Sequence, residues 1–119
     1  MVDRVFVHIG LPKTATSYLQ TIIWSNRERL RAQGVIVPGS ERRDHLWASR
    51  TVRELRSLER GPARHRTAWS RIRAELVRAE GTGLISHEFF AAASAAQARA
   101  MVDALGPTEV HLVVTAREP

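Results

Sequence analysis

The segment Gly10-Leu-Pro-Lys-Thr-Ala-Thr-Ser17 carries the residues of this chain that are best suited to chemistry. It holds the only lysine of a sequence with seventeen arginines, together with three hydroxyl side chains. Lysine offers a compact ammonium that can follow a moving negative charge, whereas arginine offers a planar fork of donors. An apolar run precedes the segment and a helical pattern follows it, so unpaired N–H groups of a helix N-terminus are expected here. The segment therefore predicts a loop that binds a phosphate-like anion.

The spacing within this loop separates it from nucleotide hydrolases. A Walker A loop reads GxxxxGK followed by Ser or Thr. Here Lys13 follows Gly10 by three residues, and no glycine immediately precedes the lysine. ATP or GTP hydrolysis is therefore disfavoured.

The elements that must position the loop follow from the hydrophobic pattern. Strands are predicted at three short apolar runs, 4–9, 84–86 and 110–115, and residues 35–37 are expected to form a brief extended piece. Helices are predicted at three runs with helical spacing, 17–32, 47–59 and 66–80. Ser94-Ala-Ala-Gln97 is a capping box that begins a further helix, which Gly106-Pro107 ends, and Ser40 to His45 is expected to be a polar loop. Alternating strands and helices indicate an α/β fold with a parallel sheet.

The composition predicts a soluble, cytoplasmic protein of at most one domain. With 44% hydrophobic and 25% charged residues the chain is ordinary for a globular protein, and it has no cysteine for disulfides or thiolate chemistry. No apolar run is long enough for a membrane span. Between Glu41 and Glu80 eleven arginines alternate with six acids, which is typical of solvated helices and makes nucleic acid an unexpected partner despite the net charge of +6. The five histidines show no metal-ligand spacing, so no metal site is expected.

Three segments resemble one known family. His8-Ile-Gly-Leu-Pro-Lys-Thr-Ala-Thr-Ser-Tyr-Leu-Gln20 is similar to the 5′-phosphosulfate loop of sulfotransferases that use 3′-phosphoadenosine 5′-phosphosulfate (PAPS), especially the bacterial branch. Leu84-Ile-Ser-His87-Glu88 matches the place where that family carries its catalytic base. Val113-Val-Thr-Ala-Arg117-Glu-Pro119 is similar to the start of the family's 3′-phosphate motif. One departure is Ala15, where the family usually has glycine.

The resemblance implies a fold. It implies a P-loop-like, three-layer α/β fold whose parallel sheet places strand 110–115 between strands 4–9 and 84–86. The family's 3′-phosphate motif continues with a serine, and the given sequence ends before that position. Residues 1–119 are therefore expected to be the N-terminal part of a single sulfotransferase-like domain, with a second chain as another way to complete it.

The resemblance also implies roles for individual residues. Lys13 would neutralise the bridging oxygen and leaving phosphate, without a metal, and either His87 or Glu88 would accept a proton from a hydroxyl or amine acceptor. An unperturbed histidine titrates near neutral pH, whereas glutamate would need burial to become an effective base. A structural role for both residues, at a strand end and a helix start, is the alternative. Cofactor contacts are expected from the loop and from the last motif: Gly10, Pro12, Lys13, Thr14, Ala15, Thr16, Ser17 and Arg117.

Two other functions fit parts of the same pattern. A non-catalytic module that binds an anion or nucleotide would need the loop but not the base. A small-molecule kinase of related fold would share the strand, loop and helix, but its loop spacing differs from the one found here. The acceptor is not fixed by the sequence, although Arg42, Arg43 and Arg50 favour an anionic small molecule or glycan. His45 is expected in a solvated loop, with the acceptor pocket as the alternative place.

Overall fold

A four-stranded, all-parallel sheet lies at the centre of the fold. The sequence predicts a parallel sheet and three of these strands, and the extended piece at 35–37 supplies the fourth. The computed structural model describes residues 1–10 and 16–116, without the side chain of Thr16. The strands are β1 (Arg4–His8), β2 (Val35–Ile36), β3 (Thr82–Ser86) and β4 (Glu109–Val113). Their order across the sheet is β2-β3-β1-β4. The fold class is therefore confirmed as α/β with a parallel sheet.

The expected position of the last strand is wrong. Strand β4 lies outside β1 and not between β1 and β3, because Val7 of β1 is paired with Ile85 on one side and with Leu112 on the other. Burial explains this order. Val7 is 1% exposed, as a central strand requires, whereas Leu112 is 63% exposed. A central parallel strand needs both faces covered, and in the described residues β4 does not have that cover.

Six α-helices connect the strands in the described part of the chain. They are α1 (Thr16–Ser25), α2 (Arg27–Ala32), α3 (Arg43–Val52), α4 (Ala63–Arg66), α5 (Ala68–Arg78) and α6 (Ala95–Ala104). Two short 3₁₀ segments cover Arg56–Arg60 and Glu88–Ala92. Ser94 and Gln97 form both hydrogen bonds of the predicted capping box at the start of α6. None of these helices has the length and apolarity needed to cross a membrane.

Three predicted helices have wrong boundaries, two of them beside a side-chain bond to the backbone and one at a backbone turn. The single helix 17–32 is divided at Asn26, whose side-chain amide donates to the Ile22 carbonyl. The helix 47–59 ends earlier, since Glu54 adopts a positive φ of 57°. The helix 66–80 is divided at Thr67, whose hydroxyl donates to the Ala63 carbonyl. Side-chain bonds to the backbone compete with regular helix in this way.

The core lies on one face of the sheet. Val5, Val7 and Ile85 point to this face and are at most 1% exposed. The helices α3, α5 and α6 supply the residues that pack on them: Ala48, Val52, Trp69, Ile72, Leu76, Met101 and Leu105. On the opposite face Phe6 and Leu84 lie across an apolar groove from Leu19 and Ile23 of α1. Helices thus flank the sheet on both faces.

The expected polar loop from Ser40 to His45 is wrong in its second half, because α3 begins at Arg43. Asp44 is 1% exposed, and its carboxylate accepts from the N–H groups of Ser40 and Glu41 and from the guanidinium of Arg71. A buried carboxylate is stabilised by several hydrogen-bond donors. The start of this helix is therefore buried without the apolar residues from which hydrophobic spacing predicts a helix. The helix therefore starts four residues before the first tryptophan that marks it in the sequence.

Candidate functional site

The candidate site lies at the carboxyl edge of the parallel sheet. Gly10 lies two residues after β1 and has a positive φ of 46°, and α1 begins at Thr16. His87 and Glu88 follow β3 directly. Ligands of open α/β sheets bind outside the carboxyl ends of the strands, so the two sequence motifs meet where such folds place their sites.

A polar cavity of about 330 Å³ joins the two motifs. Its lining comes from α1, from the start of α3 and from the end of β3: Ser17, Gln20, Arg42, Arg43, Leu46, His87 and Glu88. Ser17 is the last residue of the predicted anion loop. Three predicted site residues therefore lie together, although Ser17 is far in sequence from His87 and Glu88.

His87 is held in one neutral form. Its Nδ1 accepts the N–H of Phe89 at 3.1 Å, so the proton of the neutral ring is on Nε2. Burial lowers the pKa of His87, the guanidinium groups of Arg42, Arg50 and Arg53 lower it further, and Glu88 acts in the opposite direction. The ring is therefore neutral at pH 7, with a donor at Nε2 and an occupied lone pair at Nδ1.

Glu88 offers the oxygen acceptors of this site. Its Oε2 accepts from Gln20 Nε2 at 3.0 Å and lies 3.8 Å from His87 Nδ1. The Gln20 amide is buried, which fixes the carboxylate on the α1 side of the cavity. Gln20 could not be identified from the sequence as a site residue, because a glutamine within an amphipathic helix matches no functional motif.

Arg42 ties the start of α3 to the first turns of α1. Its Nη1 donates to Thr21 Oγ1 at 2.8 Å and its Nη2 donates to the Ser17 carbonyl at 3.0 Å. Both acceptors are neutral, so they do not offset the positive charge of the guanidinium beside the cavity. Arg42 and Arg43 thus bring positive charge to a site that also contains one carboxylate.

A buried row of hydrogen bonds runs behind the cavity. His45 is 1% exposed; its Nε2 donates to the Pro38 carbonyl at 2.7 Å, and its Nδ1 accepts the N–H of Ser86 at 3.1 Å. Ser86 Oγ is 2.8 Å from Nδ1 of His8, whose Nε2 is 3.2 Å from Thr115 Oγ1. The row joins the ends of the four strands. Both expectations for His45, the solvated loop and the acceptor pocket, are wrong, because the ring is sealed beneath the site.

The remaining predicted site residues lie outside the described part of the chain. They are Pro12, Lys13, Thr14, Ala15 and Arg117, together with the side chain of Thr16. Their roles stay predictions. In the described residues no group of three or more histidine or acidic side chains could hold a metal ion. His65 stacks on Trp47 at 3.8 Å between ring centroids, and His111 stacks on Phe6 at 4.9 Å, so both are packing residues.

Comparisons with models of protein families, with curated proteins and with solved structures give no match to this chain. Its function must therefore be argued from the geometry of the site and from the residues of the loop.

Proposed function

We propose that this chain is part of a PAPS-dependent sulfotransferase, which transfers a sulfuryl group from PAPS to a hydroxyl or amine acceptor. The observation that carries the proposal is the meeting of two motifs in one polar cavity. Ser17, at the end of the segment that resembles a phosphosulfate loop, lines this cavity together with His87 and Glu88. The resemblance requires these motifs to be adjacent, although 69 residues separate Ser17 from His87 in between.

The central place of β1 supports the P-loop-like part of the same proposal, although β4 does not lie where the resemblance implies. Gly10 lies two residues beyond β1, and α1 begins at Thr16. One neighbour of β1 is β3, and His87 and Glu88 follow β3. An anion held between the end of β1 and the start of α1 would therefore lie beside both candidate bases.

The donor groups around the cavity fit a phosphosulfate. Arg42 provides a guanidinium within 3.0 Å of the Ser17 carbonyl, and the first turn of α1 carries the partial positive charge of a helix N-terminus. Lys13, Thr14, Thr16 and Ser17 would hold the 5′ end of the cofactor, and Arg117 its 3′-phosphate. When bound, the cofactor supplies the sulfuryl group and a phosphate leaving group.

The residues of the chain then have separate tasks. Glu88 would accept the proton of the acceptor, because its carboxylate lines the cavity and is held in place by Gln20. His87 would donate through Nε2–H to an oxygen of the acceptor, because its Nδ1 already accepts from Phe89. The ammonium of Lys13 would neutralise charge that develops on the bridging oxygen. Positioning and electrostatics supply the catalysis, as in phosphoryl transfer.

A non-catalytic anion-binding module is the second candidate. The occupied Nδ1 of His87 favours it, since this ring cannot accept a proton without breaking its bond to Phe89. Such a module would use the arginines and the loop but would not transfer a group. A kinase of related fold has no comparable support, because Lys13 lacks the preceding glycine of a Walker A loop.

Thermal unfolding with nucleotides tests the proposal. The nucleotide product of the reaction, 3′,5′-adenosine bisphosphate (PAP), should stabilise the chain by about 2.7 kcal/mol at a concentration of one hundred times Kd. This corresponds to a rise in Tm of roughly ten degrees. ATP at the same concentration should give a smaller rise. No stabilisation by PAP, or a larger effect of ATP, would contradict the proposal.

Lys13→Arg tests the need for an ammonium. We expect a large loss of sulfuryl transfer with only a modest change in PAP affinity, because a guanidinium keeps the charge but not the compact geometry. Transfer is measured with labelled PAPS, and affinity by calorimetry. Arg78→Lys, on the amino side of the sheet, is the matched control and should change neither quantity. Retained transfer in Lys13→Arg would refute the role given to the ammonium.

A further inference from the structure

We infer that the cavity beside His87 takes an anionic acceptor, one that carries a carboxylate or a sulfate ester near its reacting hydroxyl or amine. This inference rests on the proposed function, which places the reacting group of the acceptor at His87 and Glu88. It adds the substrate class and the side of the cavity that recognises it. The recognising group is a row of arginines on α3.

One side of α3 carries four arginines. At about 100° per residue, Arg42, Arg43, Arg50 and Arg53 fall within roughly 100° of arc, together with Leu46. Arg42, Arg43 and Leu46 line the cavity directly. The buried side chain of His45 points to the opposite side of the same helix. We call this set of four residues the arginine row.

Two further residues continue the row beyond the cavity. Arg50 lies between Leu46 and Arg53 on the same side of α3. Arg53 lies over the ring of Phe89 at 5.8 Å, and the ring of Phe89 is 4.9 Å from that of His87. Burial is the largest cause that lowers the pKa of His87, and the charges of Arg42, Arg50 and Arg53 act in the same direction.

The row has no carboxylate partner among residues 1–10 and 16–116. The guanidinium ion pairs described there are Arg31 with Glu75 and Arg71 with Asp44. Asp44 lies on another side of α3, where Arg71 and the N–H groups of Ser40 and Glu41 already donate to it. Glu88 is the one acid that lines the cavity, and Gln20 holds it on the α1 side.

The carboxylate and the guanidinium groups lie on different sides of the cavity, and this arrangement indicates which kind of ligand fits. A hydroxyl or amine beside Glu88 would have its carboxylate or sulfate ester beside Arg43 and Arg50, where the planar guanidinium fork can donate to two oxygens at once. Phe89 is 40% exposed next to His87 and can contact a carbon face of the same molecule. A neutral acceptor would leave four like charges without a counterion.

Three sugars test the inference on the full chain. Methyl β-D-glucuronide carries a carboxylate, glucose 6-sulfate carries a sulfate ester, and methyl β-D-glucoside is the neutral match. Binding is followed from amide shifts of Ser17, His87 and Glu88 in ¹H–¹⁵N spectra, first alone and then with saturating PAP. At least one acidic sugar should bind roughly tenfold more tightly than the glucoside, and the comparison of the two acids tells carboxylate from sulfate recognition.

Removal of two charges localises the site. Arg43→Gln with Arg50→Gln should weaken the acidic sugar roughly fivefold and leave the glucoside unchanged. Arg29→Gln with Arg78→Gln removes the same charge from the amino side of the sheet and should have no such effect. The spectra also report whether each variant is folded. For the wild-type chain, raising NaCl from 50 to 500 mM should weaken the acidic sugar alone, a second measurement that needs no variant.

The outcomes separate this inference from the proposed function. Equal binding of acidic and neutral sugars, or equal effects of the two double variants, would overturn the anionic acceptor. Loss of sugar binding on addition of PAP would indicate that the arginine row binds the cofactor, and it would also overturn the anionic acceptor. Sugar binding without any PAP binding would refute the sulfotransferase and keep the anion site.

Discussion

At the scale of single residues, the site depends on histidines that stay neutral. His45 satisfies two backbone groups at once, because its Nε2 donates to Pro38 and its Nδ1 accepts from Ser86. A protonated ring would place a second N–H against the Ser86 N–H, and burying its charge is costly. Burial accordingly lowers the pKa of His45 to about 4. The ring therefore stabilises the strand ends only in its neutral form.

Stability should fall as the pH falls through this range. The unfolded chain binds a proton at His45 near pH 6.5 and the folded chain only near pH 4, so the unfolded state holds more protons between these values. The contribution is complete above pH 6.5 and is lost on the way down to pH 4. Urea unfolding at pH 7 and at pH 4.5 should differ by about 2 kcal/mol from this group alone.

His45→Gln separates this contribution from that of other histidines. Glutamine has a donor and an acceptor but does not titrate, so the variant should lose that part of the pH dependence. Burial also lowers the pKa values of His8 and His87, and their share should remain. An unaltered pH profile in His45→Gln would contradict the assignment.

Sequence patterns identified the candidate reactive residues better than the residues that support them. His87 and Glu88 could be predicted to lie near the loop, because both follow an apolar run and match a motif. Gln20, Ser86 and His45 could not, since their roles depend on contacts between distant segments. Lys13 and Arg117 lie outside the described residues, so their part in the site stays a prediction.

At the scale of elements, the start of α3 decides where the arginines lie. Asp44 caps the preceding turn and binds Arg71 of α5 through both carboxylate oxygens, at 3.2 and 3.3 Å. Burial raises the pKa of Asp44, but the donors from Arg71, Ser40 and Glu41 outweigh burial and leave the pKa lowered. Sequence patterns placed this helix at 47–59, because they detect apolar spacing and Asp44 is a buried charge.

Asp44→Ala should therefore destabilise the chain by roughly 2 kcal/mol, because it removes a buried acceptor of hydrogen bonds from Ser40, Glu41 and Arg71. Chemical denaturation measures the loss. The same change should weaken binding at the cavity, since the backbone before Arg42 and Arg43 loses its hydrogen bonds. Asp103→Ala, at an exposed position of α6, is the control and should cost less than 0.5 kcal/mol. A similar cost for both variants would refute the capping role of Asp44.

At the scale of the whole molecule, local patterns gave the strands but not their order. Each strand is an apolar run of five residues or fewer, and nothing in such a run states which neighbour it pairs with. The polarity of the strand sequences could have predicted this order. Val5-Phe-Val is continuously apolar, whereas Glu109 and His111 place polar side chains in β4. Alternating polar residues suit an edge strand better than a central one.

The edge position of β4 exposes apolar surface on both faces of the sheet. Leu112 and Val113, whose side chains point to opposite faces, are 63% and 39% exposed. An apolar groove of about 180 Å³ lies between β4 and α6, and one of about 400 Å³ lies on the other face between the sheet and α1. Among the described residues no strand pairs with the outer edge of β4. An open edge with apolar side chains on both faces promotes association between chains.

We therefore expect this 119-residue chain to self-associate at concentrations of tens of micromolar. Leu112→Lys should shift it to monomer, because a charge on this face cannot be buried when two edges pair. Sedimentation velocity over a concentration series measures the shift. Val77→Lys provides the matched control, since Val77 is 53% exposed on α5, away from β4, and this substitution should leave association unchanged. A chain that stays monomeric at all concentrations, or equal effects of the two lysines, would show that the edge of β4 does not drive association.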